Sequence, residues 1–159
     1  MMNNDLHEQE FMKKIAVLTS GGDAPGMNAA IRAVVRTAVY HDCEAVGVFQ
    51  GFQGLIEGDF KRLHVRSVAK ILGRGGTILK SARCDEFREE QGRRKAHQHL
   101  VEQGVDALVV IGGNGTFTGA MLLSKETGFP VIGIPGTIDN DLSGSDYTIG
   151  FDSSTNTVV

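Results

Sequence analysis

The chain has 159 residues, of which 41% are hydrophobic and 22% are charged, and its net charge is -3. This length and composition suit one compact domain with a hydrophobic core, and the charge gives no indication of nucleic-acid binding. No apolar run approaches the roughly 20 residues that span a bilayer, and the N-terminus lacks the basic and apolar regions of a signal peptide.

The first third of the chain predicts two strands and one helix. Residues 1–12 are polar and aperiodic, and we interpret them as a mobile tail. The apolar run 14–19 predicts a central strand, which a glycine-rich turn follows. An amphipathic helix comes next, with Asn28 as its expected N-cap, and residues 44–49 predict the second strand. Residues 51–59 are interpreted as a loop.

The middle of the chain is more polar. Residues 67–72 predict a short helix, residues 77–81 an extended segment, and residues 87–104 a long polar helix. His97 and His99 lie two apart on that helix and face different directions, so we do not expect a metal pair. The basic side chains that we assign to its solvated outer face are Arg88, Arg93, Arg94 and Lys95.

A second apolar run ends abruptly in glycines. Residues 107–111 predict a buried strand, and the glycine-rich stretch 112–116 leads into a helix expected over residues 117–126. Glycines let the backbone approach a ligand, and the N–H groups at a helix start favour anions. This is the outline of a phosphate site, although an ordinary tight turn explains so short a motif about equally well. Residues 130–134 predict another strand, and residues 153–159 the beginning of a helix.

This alternation of strands and helices predicts an α/β fold with a parallel, Rossmann-like sheet in three αβα layers over residues 13–159. Ligands of such sheets lie beyond the carboxyl ends of the strands. Turn-rich segments follow three of the predicted strands, at residues 20–26, 112–116 and 135–141. We expect all three segments to lie at one rim of the sheet.

The polar residues of these segments suit phosphoryl transfer, which needs mainly positioning and charge stabilisation. Arg83 can bridge phosphate oxygens, and Thr137 can donate a hydrogen bond to a transferring group. Of the carboxylates of Asp139 and Asp141, one can act as a general base and the other can help to hold Mg²⁺ through water. An Asx-type turn explains the two aspartates about equally well when they are considered alone.

Four stretches together resemble the 6-phosphofructokinase family, over a span from about residue 12 to residue 159. They are residues 19–29 (TSGGDAPGMNA), 81–83 (SAR), 111–115 (IGGNG) and 135–141 (PGTIDND). Members of this family transfer the terminal phosphoryl group of ATP to the 1-hydroxyl of fructose 6-phosphate, with Mg²⁺, in glycolysis. The resemblance also implies a cytoplasmic homotetramer, and the two cysteines, which lack metal-ligand spacing, suit reduced thiols.

The resemblance assigns roles to individual residues. Asp139 would be the catalytic base, with Thr137 and Arg83 as further catalytic residues, and Ile138 would join Thr137 and Asp139 in binding the sugar. The residues expected to bind ATP are Gly22, Arg83, Cys84, Gly113, Asn114, Gly115 and Thr116. The residues expected to bind a nucleotide effector are Arg32, Arg36 and Arg66, for which plain surface charge is the alternative.

Two departures from the family pattern affect the expected function. Asn114 stands where the family has an aspartate that holds Mg²⁺, so either Asp141 and waters carry the ion or metal binding is impaired. Bacterial-type members are also much longer, and the additional half supplies most of the sugar-phosphate pocket. We therefore expect a chain truncated before that domain. Gly115 and Gly136 match the ATP-using branch, since the pyrophosphate-using branch has aspartate and lysine there.

Three functions stay open at this point. The first is the ATP-dependent kinase, completed by a second half. The second is a non-catalytic nucleotide-binding or regulatory protein, which Asn114 and the short length favour. The third, a dinucleotide-binding oxidoreductase, is disfavoured because no G-x-G-x-x-G opens a helix after the first strand and no acidic residue ends the second.

Overall fold

The computed structural model describes residues 12–158, within which six strands and five α-helices form one unit. The strands are β1 (Lys14–Thr19), β2 (Glu44–Val48), β3 (Phe60–Leu63), β4 (Ala107–Gly112), β5 (Val131–Thr137) and β6 (Ile149–Gly150). The helices are α1 (Met27–Tyr40), α2 (Gly51–Glu57), α3 (Glu90–Glu102), α4 (Asn114–Thr127) and α5 (Phe151–Val158), and a 3-10 turn at Glu86–Arg88 precedes α3. Of the predicted tail, only Met12 lies within the described residues.

The six strands form one sheet in the order β3-β2-β1-β4-β5-β6. Neighbouring strands are parallel, except that β3 runs antiparallel to β2. The chain builds one half of the sheet outward from β1 through β2 and the other half outward from β4. A crevice therefore opens beyond the carboxyl ends of β1 and β4. The predicted parallel α/β sheet is confirmed.

Hydrophobic clusters cover both faces of the sheet. On one face α2, α3 and α4 pack over side chains such as Leu18 and Leu108. On the other face α1 packs over side chains such as Val17 and Val109. The alternation of adjacent side chains along β1 and β4 supplies both clusters, as the pleat of a strand requires. The arrangement is the predicted three-layer αβα fold, and no helix in residues 12–158 is long and apolar enough to cross a membrane.

The prediction of a loop over residues 51–59 is wrong, because α2 occupies most of it. Leu55 and Ile56 are buried against the sheet, so this short helix is held by packing. Its glycines allow close approach rather than a loop, since a Cβ on Gly54 would overlap the carbonyl of Phe49. The strand β3 follows directly and was not predicted.

Turns, and not a helix or a strand, occupy the predicted segments at residues 67–72 and 77–81. Asn28 explains part of this difference. It lies inside α1, where Gly26 with φ +88° takes the N-cap position, and its buried amide serves the distant segment instead. Asn28 Nδ2 donates to the Arg74 carbonyl at 3.0 Å, and Asn28 Oδ1 accepts from the Ile78 N–H at 2.8 Å. Tertiary bonds therefore shape these turns.

The strand β5 is less covered than the strands between it and β2. β6 pairs only with Gly136 and Thr137, so residues 131–135 present one edge without a partner strand among the described residues. The side chain of Ile132 is 58% exposed on this strand, and that of Met121 is 60% exposed on the neighbouring helix α4. This region leaves room for further chain to pack.

Candidate active site

The three predicted rim segments lie together around one cleft of about 880 Å³ beyond the carboxyl ends of β1, β4 and β5. The predicted site residues among those that line it are Gly22, Arg83, Cys84, Gly113, Asn114, Gly115, Thr116, Thr137, Ile138, Asp139 and Asp141. The predicted effector residues lie elsewhere, on α1 and in the turns after β3. Arg32 Nη1 donates to the Val68 carbonyl at 2.7 Å, and Arg36 and Arg66 are exposed.

β4 passes into α4 through a very short turn. Gly112 ends the strand, Gly113 is the N-cap and α4 begins at Asn114, three residues earlier than predicted. A Cβ on Gly112 would lie 2.6 Å from the Ser20 carbonyl, so only glycine lets the turns after β1 and β4 approach this closely. The first N–H groups of a helix lack intrahelical acceptors and favour an anion, and the first residues of α4 line the cleft.

At two glycines of the cleft, a larger residue would cause no steric overlap. A Cβ on Gly22 or on Gly115 would meet no heavy atom within 4 Å, and neither residue has a positive φ. The fold therefore tolerates a side chain at both positions. Their effect is to leave space for a ligand beside the start of α4.

The loop after β5 brings two carboxylates to the cleft. Thr137 Oγ1 lies 3.4 Å from Asp139 Oδ2, and the Asp139 N–H lies 3.3 Å from the same hydroxyl. Asn140, with φ +48°, holds the loop: its Oδ1 accepts from the Thr148 N–H at 2.8 Å, and its Nδ2 donates to the Asp146 carbonyl at 3.2 Å. These bonds of Asn140 reach residues six and eight positions along the chain and close the loop, and both carboxylates stay exposed.

The oxygen atoms near Asn114 that could bind a metal ion are few, but their types suit Mg²⁺. Asn114 Nδ2 lies 3.4 Å from the Asp141 carbonyl, which places the two residues side by side. Among residues 12–158, no group of three or more His, Cys, Asp or Glu side chains could hold a metal ion. Mg²⁺ in phosphoryl-transfer sites keeps several waters and takes one or two carboxylates together with substrate phosphates. One carboxylate and one amide oxygen therefore fit an ion that arrives with a nucleotide.

Residues 82–88 form a further wall of the cleft. The Arg83 side chain is exposed and makes no hydrogen bond or ion pair with the part of the chain described, so its charge is available to an anion. Cys84 is half-buried beside it. Burial raises the pKa of the Cys84 thiol, and the carboxylates of Glu86 and Asp85 raise it further. This thiol is therefore protonated at neutral pH, which suits a wall residue and not a nucleophile.

We expect Cys84 to react with iodoacetamide several-fold more slowly than free cysteine at pH 7.5, because the thiolate is the reactive species. Peptide mass spectrometry over time measures the rate at each cysteine. Cys43 is an internal comparison: it is buried, burial raises the pKa of its thiol too, and it should react more slowly still. A Cys84 rate equal to that of free cysteine would contradict the raised pKa.

Arg93 does not lie on a solvated face as predicted. It is 5% exposed and forms a bidentate ion pair with Glu126 of α4, with Nε–Oε2 at 2.7 Å and Nη2–Oε1 at 2.6 Å. The hydrogen bonds from Arg93 lower the pKa of the Glu126 carboxyl. The predicted helix also begins later, at Glu90. The remaining basic residues are exposed as predicted, and they are Arg88, Arg94 and Lys95.

An aromatic pair that sequence reasoning missed forms part of the cleft. The rings of Phe52 and Phe87 stack with their centroids 3.9 Å apart and an interplanar angle of 9°. A Cβ on Gly119 of α4 would lie 3.1 Å from Phe87 Cε1 and 3.2 Å from Phe52 Cε2, so the helix packs directly on both rings. Assigning residues 51–59 to a loop concealed this pair.

Comparison with known proteins agrees with this geometry. The family model described as Phosphofructokinase matches residues 14–159. The ATP-dependent 6-phosphofructokinase of Halothermothrix orenii is 63% identical over 148 residues, which are 93% of this chain and 45% of that protein. The corresponding protein of Clostridioides difficile is 60% identical over 148 residues, 93% of this chain and 46% of that protein. The chain spans about half the length of the curated relatives it matches.

Solved structures give the same assignment. The T-state structure of Pichia pastoris phosphofructokinase matches with a TM-score of 0.87 and 45% identity, over 91% of this chain and 17% of that chain. A pyrophosphate-dependent phosphofructokinase from Marinobacter aquaeolei matches with a TM-score of 0.76 and 21% identity, over 88% of this chain and 37% of that chain, and supports the fold alone. With the family model matched over residues 14–159, these likenesses show that the chain belongs to the phosphofructokinase family.

Proposed function

We propose that this chain is the ATP-binding part of an ATP-dependent 6-phosphofructokinase, which converts fructose 6-phosphate and ATP to fructose 1,6-bisphosphate and ADP. The observation that carries the proposal is the single cleft in which Asp139, Thr137 and Arg83 face the start of α4. The relatives named ATP-dependent 6-phosphofructokinase, which are about 60% identical, support ATP as the phosphoryl donor.

The nucleotide phosphates would bind at the turn from β4 to α4. The first N–H groups of α4 supply partial positive charge, and the open space at Gly22 and Gly115 admits the phosphates. From the wall of residues 82–88, the exposed guanidinium of Arg83 would contact phosphate oxygens, and Cys84 would close that side. When bound, Mg²⁺ offsets phosphate charge, and Asp141 with Asn114 would hold it.

The carboxylate of Asp139 would act as the general base. It accepts the proton of the sugar 1-hydroxyl as that oxygen attacks the terminal phosphorus of ATP. The bond from this phosphorus to the bridging oxygen breaks, and ADP leaves with the electron pair. The hydroxyl of Thr137 donates a hydrogen bond to the moving phosphoryl group, and Ile138 contributes to the sugar side of the cleft. Asp139 then releases its proton to solvent.

We infer that the complete activity needs further chain. The matched relatives are about twice the length of the aligned part, and the uncovered edge and face of β5 leave room for it. The sugar-phosphate domain that the family resemblance implies would be this additional part. A cytoplasmic homotetramer belongs to the same proposal, as does an effector site at Arg32, Arg36 and Arg66.

A chimera tests the proposal. This chain replaces the matched 148 residues of the Halothermothrix orenii protein, and ADP release is followed with ATP, fructose 6-phosphate and Mg²⁺. We expect sugar-dependent ADP release, and no sugar phosphorylation when pyrophosphate replaces ATP. A chimera that binds ATP without releasing ADP would support the non-catalytic, regulatory alternative that Asn114 favours. A chimera that neither binds ATP nor releases ADP would overturn both functions.

The Asn114→Asp chimera is expected to reach half of its maximal rate at roughly tenfold less free Mg²⁺, because a carboxylate adds the charge that the amide lacks. Titration of Mg²⁺ at fixed ATP measures the change. The Asn156→Asp substitution is the matched control, since Asn156 is exposed on α5 and does not line the cleft. Identical Mg²⁺ dependence in the Asn114→Asp and unchanged chimeras would show that Asn114 does not limit metal binding.

A further inference from the structure

Arg93 is the one charged side chain that is buried within residues 12–158, and the proposed phosphoryl transfer does not use it. Besides its two bonds to Glu126, Arg93 Nη1 donates to the carbonyls of Phe87 at 2.9 Å and Arg88 at 2.5 Å. A guanidinium has five N–H donors, and these bonds occupy four of them. Little of its hydrogen-bonding capacity is left for a ligand.

The four bonds join three elements that surround the cleft. Arg93 belongs to α3, Glu126 belongs to α4, and the two carbonyls belong to the 3-10 turn. That turn ends the wall of residues 82–88, which carries Arg83 and Cys84. The helix α4 begins at the turn proposed to bind phosphate. Arg93 itself lies in the lining of the cleft, and it connects the wall to the C-terminal part of α4, since Glu126 is the second-last residue of that helix.

Other polar links to this wall are weak. Among the described residues, the hydrogen bonds that reach residues 82–88 from outside them come from the Arg93 guanidinium, apart from the local turn bond between the Glu89 N–H and the Glu86 carbonyl. The ion pair from Lys95 to Glu86 is 3.6 Å long and half-exposed, and contributes little. Apolar packing of Phe87 holds one end of the wall, whereas residues 82–85 lack secondary structure apart from a bend at position 85.

We propose that Arg93 and Glu126 are a positioning pair that fixes the wall of residues 82–88 relative to α4. Nucleotide affinity then depends on both residues, although Glu126 does not line the cleft and four of the five Arg93 donors are already bonded to the protein. The inference rests on the proposed nucleotide function of the cleft. It assigns Arg93 a purpose that explains its geometry, since bidentate bonds to a carboxylate and two carbonyls fix orientation more firmly than a single point contact.

The test uses the Arg93→Lys substitution in the 159-residue chain. An ammonium keeps the attraction to Glu126, but its donors cannot serve both carboxylate oxygens and two carbonyls at once. We expect the ATP dissociation constant to rise about tenfold, as the wall groups shift from their positions. We also expect iodoacetamide to modify Cys84 several-fold faster, because the wall becomes mobile, while the rate at Cys43 stays unchanged.

The neighbouring ion pair supplies a matched control. Arg94 pairs with Glu90 on the exposed side of the same helix, with Nη2–Oε1 at 2.5 Å. The Arg94→Lys chain should keep both its ATP affinity and its Cys84 modification rate. Circular dichroism confirms that each variant is folded before binding is measured. If the Arg93→Lys chain does not fold, Glu126→Gln replaces it, since an amide keeps the side-chain shape and the turn carbonyls keep their donors.

A double-substitution cycle then separates coupling from general damage. If the two residues act as one unit, the Arg93→Lys, Glu126→Gln double variant binds ATP no more weakly than the weaker single variant. If the losses of ATP affinity in the two single variants multiply in the double variant, the two residues act independently and the inference is overturned. Unchanged ATP affinity and an unchanged Cys84 modification rate in Arg93→Lys would also overturn it. Should the unchanged chain fail to bind ATP, the nucleotide function fails. The Cys84 rate then decides the positioning role alone, and an unchanged rate overturns it.

Discussion

Replacing Asp139 by asparagine in the chimera is expected to lower kcat by about 10³-fold, within the range of roughly 10² to 10⁴ for loss of a general base. An amide has nearly the same shape but does not accept the proton of the sugar hydroxyl. The dissociation constant for ATP should change little, because Asp139 belongs to the loop after β5 and is proposed to contact the sugar hydroxyl and not the nucleotide. Steady-state rates and ATP titration measure the two quantities separately.

The loop should survive this substitution, which makes the result interpretable. The bonds that hold the loop come from Asn140 and Thr148, whereas the contact between Thr137 Oγ1 and Asp139 is long, at 3.4 Å. Asp146→Asn is the matched control in the same loop, since its side chain is exposed and does not line the cleft. A chimera that retains its kcat after Asp139→Asn would place the base elsewhere.

The rim of the sheet was predictable because short stretches of sequence indicate where its strands end. An apolar run that ends in glycines predicts a strand end, and the rule for parallel sheets then brings such ends together. The cleft does contain the residues predicted from the turns after β1, β4 and β5, together with Arg83. Their catalytic and binding roles stay predictions, since proximity alone does not assign them.

Elements that depend on distant partners were not predictable in the same way. α2 has only seven residues, and one glycine lies inside it beyond its first position, a composition that favours a loop in isolation. Packing of Leu55 and Ile56 against the sheet decides its conformation. Asn28 likewise has the chemistry of an N-cap, but bonds to Arg74 and Ile78 stabilise it inside α1. Local preference was overridden by tertiary contacts in both cases.

Arg93 shows both a local signal in the sequence and a dependence on a distant partner. A run of basic residues on a polar helix normally lies in solvent, and its bidentate partner Glu126 is 33 residues away in the sequence. One signal was available: Ala96 and Leu100 follow at intervals of three and seven residues, and all three positions share one helix face. That face is the buried one. Helical periodicity could therefore have identified the buried position of Arg93, but not its partner.

Replacing Gly115 by aspartate is expected to weaken ATP binding by about 10- to 100-fold while leaving the fold as stable as before or more so. The two effects have different origins. A carboxylate in the first turn of α4 interacts favourably with the helix dipole by about 0.3–1 kcal/mol. Glycine inside a helix is unfavourable by roughly 0.5–1 kcal/mol relative to alanine, and aspartate recovers a small part of that difference. The Cβ meets no atom within 4 Å, so no strain opposes these gains.

The same carboxylate would stand where the nucleotide phosphates are proposed to bind. Like charges about 4 Å apart repel by about 4 kcal/mol at an effective dielectric constant of 20, and screening by water reduces this to the expected affinity loss. Isothermal titration of the 159-residue chain with ATP measures the expected loss of affinity. Thermal unfolding of the same chain measures its stability, which we expect to be unchanged or higher. Gly115→Ala isolates the charge, and Gly73→Asp repeats the change at an exposed glycine with equal space outside the cleft.

If ATP affinity is unchanged in Gly115→Asp, the start of α4 is not part of the nucleotide site, whether or not Asp139 is the general base. We do not expect the substitution to create pyrophosphate use, although the pyrophosphate-using branch has aspartate at this position. That branch also has lysine where Gly136 stands, and a Cβ there would lie 2.9 Å from Ile111 Cγ2. A side chain at this buried position requires the Ile111 side chain to move, so a change of phosphoryl donor needs more than the single charge.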